Sequence, residues 1–263
     1  MLWLLGALVA VYIALCVGMF VLEPKLVFPA PQIERRDLHQ MAEEFGATEL
    51  MVTTEDGFSL YGWRYGSGDR LVLIFSGNAA TVGGWSPRYE RLAGAGFSVL
   101  HVNYRGYPGS AGEPSEKGLR MDARAAWTEA LRSHPAQDII VFGKSLGGGV
   151  AIGLVADLDP MPRALVLEST FTSTADVASE AYPWLPVRLL MRNPFLSLDR
   201  AGELSLPVLL LHGTGDRIIG SPHSERLDKS IPDSRLLLIE GAEHNEDLLE
   251  NAAAWQAFLD IAR

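Results

Sequence analysis

Residues 138–149 read DIIVFGKSLGGG, and this stretch decides the fold. Ile139, Ile140, Val141 and Phe142 form a β-branched and aromatic run of the kind buried on both faces of a parallel sheet. From Leu146 to Leu158 the chain takes on a helical pattern. Ser145 falls at the junction, with Gly143 and Gly147 two residues to either side. A tight strand-to-helix turn forces its central residue into a strained backbone conformation, and the flanking glycines remove Cβ atoms that would clash. Ser145 is therefore the candidate nucleophile. The N–H of Leu146, at the start of the following helix, is placed to meet developing negative charge. Gly143-Lys144-Ser145 also closes a phosphate-loop pattern, but that loop needs a glycine where Asp138 stands and a flexible chain between. The four residues that intervene are strand core instead, so no phosphate or nucleotide cofactor is called for.

Outward from this turn, strand and helix signals alternate. LVLIF (71–75), FSVLHV (97–102), ALVLE (164–168), PVLLLH (207–212) and RLLLIE (235–240) read as strands. Trp85–Ala95, Glu116–Ser133, Pro222–Ile231 and Asp247–Ala262 have helical spacing. Earlier, ELMVTT (49–54) and FSLYGWRY (58–65) flank Glu55-Asp56-Gly57 as a β-hairpin would. An antiparallel opening followed by repeated βα units predicts a three-layer α/β architecture with a mostly parallel sheet over residues 49–263. The stretch 169–206 breaks the alternation and reads as a short helical cap over the carboxyl edge of the sheet. It carries Phe171, Tyr182, Trp184, Leu185, Leu189, Leu190, Met191 and Phe195, a concentration that fits a greasy lid or acyl pocket. The alternative is a cap whose apolar side chains simply pack on the sheet.

A serine hydroxyl needs a base, and the base an orienting acid. Of six histidines, His244 lies in GAEHN after the last strand and before the final helix, and is the candidate base. His39, His134 and His223 read as solvated surface residues, and His101 and His212 as packed or hydrogen-bonded at strand ends. Asp216, in HGTGD after the penultimate strand, is the candidate acid, with Glu168 at the end of the preceding strand as the alternative. The loop SGNAA (76–80) follows the first long parallel strand. Gly77 lets its backbone turn N–H groups toward the serine, which makes the main chain of Asn78 the second oxyanion donor beside Leu146. The glycine-rich loop Gly106–Gly112 reads as a chain reversal.

The 22 basic and 32 acidic side chains give a net charge of −10, which disfavours a nucleic-acid binder. Cys16 is the only cysteine, so disulfides, thiolate metal sites and cysteine catalysis are excluded from the body, and no metal is called for. None of the charges lies in residues 1–22, an apolar run that would span roughly 33 Å as a helix, enough to cross a bilayer core. A cleaved signal peptide would open with a basic residue, and a lipoprotein signal would need a small residue where Leu15 precedes Cys16. An uncleaved single-pass anchor fits best, with residues 23–48 as a polar linker. Lys25, Arg35 and Arg36 follow the span and favour a cytoplasmic body, but Glu23, Glu34 and Asp37 interleave, and the sequence leaves the side open.

The set FSGNAAT, NYRGYPGSAGEPSE, GKSLGGGVA, LESTFTS, LHGTGDRII and GAEHNED resembles the membrane-anchored α/β-hydrolase family that includes the depalmitoylating ABHD enzymes. The order Ser145, Asp216, His244 is that of an α/β-hydrolase triad. The resemblance implies an α/β-hydrolase fold and a serine hydrolase acting on acyl esters or thioesters. That family usually has histidine where Ser76 stands and aspartate where Asn103 stands. The first change touches the rear of the oxyanion loop, and the second forfeits a structural ion pair. Two other functions share these features: a serine peptidase of the same fold, and a membrane-tethered binding protein that has lost catalysis.

Overall fold

The computed structural model describes residues 2–263. Eight strands, β1 (Thr48–Thr53), β2 (Ser59–Tyr65), β3 (Arg70–Phe75), β4 (Phe97–Val102), β5 (Ile139–Lys144), β6 (Ala164–Glu168), β7 (Val208–Gly213) and β8 (Ser234–Ile239), form one sheet. Their spatial order is β1-β2-β4-β3-β5-β6-β7-β8. The β1–β2 and β2–β4 pairs are antiparallel and every later pair is parallel, so the predicted hairpin opens a parallel sheet.

Among the described residues, ten helices accompany the sheet: α1 (Leu2–Val27), α2 (Arg35–Phe45), α3 (Ser86–Gly94), α4 (Glu116–Leu131), α5 (Leu146–Val155), α6 (Thr174–Ala181), α7 (Val187–Leu190), α8 (Ser197–Ala201), α9 (Pro222–Ser230) and α10 (Ala252–Ala262). Alternate strand residues divide between two cores, as the period of two demands. Leu71, Leu73, Val141, Leu165 and Leu210 join a core completed by α4, α5, α8 and α9. Val72, Ile74, Ile140, Val166 and Leu209 face the other way, onto α2, α3 and α10. Three layers result. All ten residues of α5 are buried, which explains why its sequence has no polar face.

The chain leaves β3 for β4 on one side and returns to β5 on the other. At such a reversal the loops after neighbouring strands diverge and leave a crevice beyond their carboxyl ends. Gly77 and Asn78 follow β3 and Ser145 follows β5, so the reversal brings them together. A Cβ placed on Gly77 would lie 3.6 Å from that of Ser145.

Residues 23–48 are not a linker. α1 runs past Leu22 and through Pro24 to Val27, and α2 occupies 35–45 with Leu38 and Ala42 fully buried. Pro24 removes one donor from the helical ladder. The last turn nevertheless holds, because Phe28 is buried against Phe195 of the cap segment, with ring centroids 6.2 Å apart. Within 169–206, α6, α7 and α8 form the cap. Phe171, Leu185 and Phe195 pack inward, as the packing alternative expects, whereas Tyr182, Trp184 and Leu189 are exposed. His223 departs from expectation. It is buried, and its Nδ1 accepts from the Thr172 N–H (3.2 Å) and contacts the Thr172 hydroxyl (2.8 Å), tying α9 to the start of the cap.

His101 is fully enclosed on β4. The Tyr89 hydroxyl donates to the Val82 carbonyl (2.7 Å), so its oxygen can only accept from His101 Nδ1 (2.6 Å), which fixes the Nδ1–H tautomer. Burial alone pushes the imidazole down to about 3, from an ordinary 6.5. Between those values the unfolded chain takes a proton that the folded one refuses, so stability falls as the pH drops through this window. Going from about pH 7 to about pH 5 should remove about 2 kcal/mol through this residue. In thermal unfolding followed by circular dichroism, His101→Phe should lose that much less on acidification. An unchanged pH dependence would show that His101 is protonated when folded.

Candidate active site

Ser145 adopts φ 52°, ψ −118°, a conformation that costs a non-glycine residue on the order of 1–3 kcal/mol. Its surroundings over-determine it. The Ser145 N–H donates to the Glu168 carbonyl (2.8 Å), and its own carbonyl accepts from the Gly148 N–H (2.9 Å) and the Thr170 hydroxyl (3.0 Å). Cβ atoms on Gly143 and Gly147 would come within 2.5 Å of the Gly147 carbonyl oxygen and 1.9 Å of the Phe75 carbonyl oxygen, respectively. Only glycine fits at either place.

Strand ends β7 and β8 bring Asp216 and His244 to this turn. His244 Nδ1 lies 2.6 Å from Asp216 Oδ2, and its Nε2 lies 3.1 Å from Ser145 Oγ. Burial raises the Asp216 carboxyl, but hydrogen bonds from His212 and His244 and the Ile219 N–H outweigh it and hold the group well below the usual carboxylate range. An ionised carboxylate only accepts, so Nδ1 of His244 carries the proton and Nε2 presents its lone pair to the serine hydroxyl. The N–H groups of Ile218 (2.9 Å) and Ile219 (2.8 Å) occupy Oδ1 and fix the plane of the carboxylate.

His212 is a contributor that the sequence did not reveal. Its Nε2 sits 3.3 Å from Asp216 Oδ2 and donates to the Ile219 carbonyl (2.8 Å), and its Nδ1 meets the Ser224 hydroxyl at 2.6 Å. It thus braces both the acid and the turn that carries it. A histidine four residues before the acid was the available signal.

Glu168, the alternative acid, is otherwise engaged. Lys144 Nζ approaches it at 2.7 Å and the Arg88 guanidinium at 3.0 Å. Arg88 is itself buried between the rings of Trp85 and Phe142, at 4.5 and 4.9 Å, and pairs with Asp247 as well. Two cations and two carboxylates thus form a neutral cluster beside the serine turn.

The loop after β3 is held from the loop after β4. The Tyr104 hydroxyl donates to the Ser76 carbonyl (2.9 Å) and that of Tyr107 to the Asn78 carbonyl, with the two rings edge to face at 5.5 Å. Both carbonyls are thereby turned toward the tyrosines. Asn103 spans the same two loops, accepting from the Val82 N–H (2.9 Å) and donating to the Pro108 carbonyl (2.9 Å), so it serves backbone groups rather than a cation. The loop 106–112 is the reversal expected of it, but its flanking tyrosines do more than the sequence showed. Gly77, Asn78, Ser145, Leu146 and His244 all line one cavity of about 810 Å³.

A parallel sheet opened by antiparallel pairing, with a serine after β5, an aspartate after β7 and a histidine after β8, is the architecture of an α/β-hydrolase. The pattern of the serine aminopeptidase S33 family matches residues 66–197. An uncharacterised protein of Mycobacterium tuberculosis is 40% identical over 208 residues, covering 75% of this chain and 72% of that one. An uncharacterised membrane protein of Saccharomyces cerevisiae is 28% identical, covering 98% of this chain and 94% of the yeast protein. Among solved structures, the esterase Pf2001 of Pyrococcus furiosus superposes with a TM-score of 0.69 at 19% identity, over 89% of this chain and 97% of that one. The chain belongs to the serine aminopeptidase S33 family of α/β-hydrolases, of ABHD type, and is a hydrolase.

Two substitutions test the assignment of the acid. Asp216→Asn should lower kcat by a factor on the order of 10³–10⁴, because the imidazole loses control of its tautomer. Glu168→Gln should instead cost stability, on the order of 3–5 kcal/mol, by leaving two buried cations short of a partner. Steady-state kinetics and melting curves on both variants distinguish the roles, and the reverse pattern would move the acid to Glu168. Tyr107→Phe should reduce kcat about tenfold with little change in KM, since it frees the Asn78 peptide to rotate. An unaltered kcat would remove Asn78 from the oxyanion site.

Proposed function

We propose that this protein is a membrane-anchored serine hydrolase that cleaves acyl esters or thioesters. The observation that carries the reading is the Ser145–His244–Asp216 relay opening on a cavity of about 810 Å³. Ser145 Oγ attacks the acyl carbon while its proton passes to His244 Nε2. The Asp216 carboxylate stabilises the imidazolium that forms. The N–H groups of Leu146 and Asn78 receive the oxyanion. Leu146 suits this role because the first N–H groups of a helix have no intrahelical acceptor. When the tetrahedral intermediate collapses, the bond to the leaving oxygen or sulfur breaks and His244 returns its proton to that atom. Water then attacks the acyl-enzyme by the same route, releasing a fatty or other carboxylic acid and free Ser145.

The membrane reading rests on α1, which has a mean hydropathy of 2.6 over a candidate span Trp3–Val27, and agrees with the description of the yeast relative. The family description makes a peptidase the second reading. An aminopeptidase must receive a substrate ammonium near the serine. Of the three cavity carboxylates, Glu23 is bonded to Asn193 and Asp247 to Arg88, which leaves the exposed Glu250 as the group that could receive it. The apolar lining from Met19, Leu26, Val27, Leu190 and Met191 favours the acyl esterase or thioesterase.

A fluorophosphonate probe should label the native enzyme at Ser145 and fail to label Ser145→Ala. The same variant should lose roughly 10⁴-fold in kcat with its melting temperature nearly unchanged. Parallel assays on acyl ester, acyl thioester and aminoacyl amide substrates decide the leaving group. Retention of a tenth of the activity by Ser145→Ala would end the serine mechanism.

A further inference from the structure

The part of α1 that follows the apolar run is docked on the hydrolase body. Glu23 directly follows that run and is only 3% exposed. One of its oxygens accepts from the Asn193 backbone N–H (2.9 Å) and the other from the Asn193 side-chain amide (2.9 Å), with Arg192 Nε at 3.7 Å. Phe20, three residues earlier, lies under the Arg192 guanidinium at 4.8 Å. Eleven residues up the helix, the Tyr12 hydroxyl donates to the Trp184 carbonyl (3.1 Å). Tyr12 and Glu23 are about 16 Å apart along a helix axis, roughly the depth of one leaflet. The cap therefore runs alongside α1 over that distance. It presents Trp184 (56% exposed) and Leu189 (86% exposed), side chains that are costly to leave in water. These contacts make α1 a fixed partner of the cap and not a loose tether.

The same helix enters the cavity. Met19, Glu23, Leu26 and Val27 recur at helical spacing on one face and line the cavity that holds Ser145 and His244. The cap supplies Leu190 and Met191 to the same space. A helix long and apolar enough to cross a bilayer thus forms a wall of the pocket, with its aqueous end marked by Glu23 and Lys25. We propose that the acyl chain of a bilayer-resident ester or thioester passes from the leaflet, between α1 and the cap, into this cavity, and that Met19, Leu26 and Val27 set the chain length accepted. This rests on the reading of Ser145 as nucleophile. Its physical rationale is that an acyl chain drawn from lipid straight into an apolar cavity never meets water, so its transfer carries no hydrophobic penalty. The carbonyl at its head lies near the membrane surface, where the serine waits beyond the end of the span.

The test uses the full chain reconstituted in phosphatidylcholine vesicles. Its readout is the ratio of kcat/KM for a palmitoyl to a butyryl p-nitrophenyl ester. Met19→Trp and Leu26→Trp should each lower that ratio at least about tenfold by shortening the pocket. Met19→Ala should move the preference toward longer chains. Val21→Trp, about 200° around the helix from Met19, should leave the ratio unchanged. Vesicles carrying a long-chain monoacylglycerol, or an S-palmitoyl peptide, distinguish a lipid ester from a lipidated-protein thioester as the source; turnover of either supports the leaflet route. Ratios unaffected by all three pocket substitutions would overturn the inference, as would failure on both vesicle substrates with the palmitoyl ester still cleaved. Ser145→Ala is run alongside. If it remained active, the reading of the nucleophile would fail instead, a result distinguishable from any change in chain-length ratio.

Discussion

At Ser145 backbone must pass against backbone, and most of the molecule is arranged around that requirement. The end of β3 is pressed so close to the start of α5 that the carbonyl of Phe75 occupies the place a side chain on Gly147 would need. On the other flank Thr170 fills the space beside Gly148, where a Cβ would meet its hydroxyl at 2.1 Å. Three neighbouring strands of the sheet, β3, β5 and β6, are thus drawn together at their carboxyl ends. Helix α5 can lie this deep because three glycines follow its first residue and it has no polar face to hydrate. The strain at Ser145 is held by packing on both sides, so the serine presents its hydroxyl without local freedom to relax.

Around this rigid turn the charges are arranged in two self-contained groups. Asp216 is held ionised by donors on each oxygen, with His212 behind it and His244 in front. Arg88, Lys144, Glu168 and Asp247 balance one another beside Ser145. A buried ion without a partner would impose a field on the site, and pairing cancels it. His244 therefore faces its own carboxylate, with little net charge contributed from the neighbouring cluster.

Much of this was legible in the sequence, for reasons that differ from element to element. The strands and the serine turn could be read because their determinants are local: β-branched runs, and glycines at fixed offsets from a serine. ALVLE, for instance, coincides with β6 residue for residue. Asp216 and His244 were found from their places after the last two strands, and the structure brings both to Ser145. The segment 23–48 was misread because a charge and a proline after an apolar run look like a helix end. What holds Glu23 is Asn193, 170 residues away. His223 was undervalued for the same reason, since its partner Thr172 becomes a neighbour only through the cap, whereas His212 lies four residues before Asp216 and its role depends on how the β7 turn folds back. The Arg88 cluster joins α3, β5, β6 and the turn before α10, and no spacing along the chain announces it.

Asn103 shows how a single amide can change what a loop responds to. It accepts from one loop and donates to another, and both bonds are available at any proton activity, because an amide does not titrate. An aspartate in its place could accept from Val82 but could donate to Pro108 only when protonated. The tie between the two loops would then strengthen or weaken with acidity. With asparagine there, the fastening of the loop that carries Asn78 is indifferent to whether the surrounding compartment is acidic or neutral.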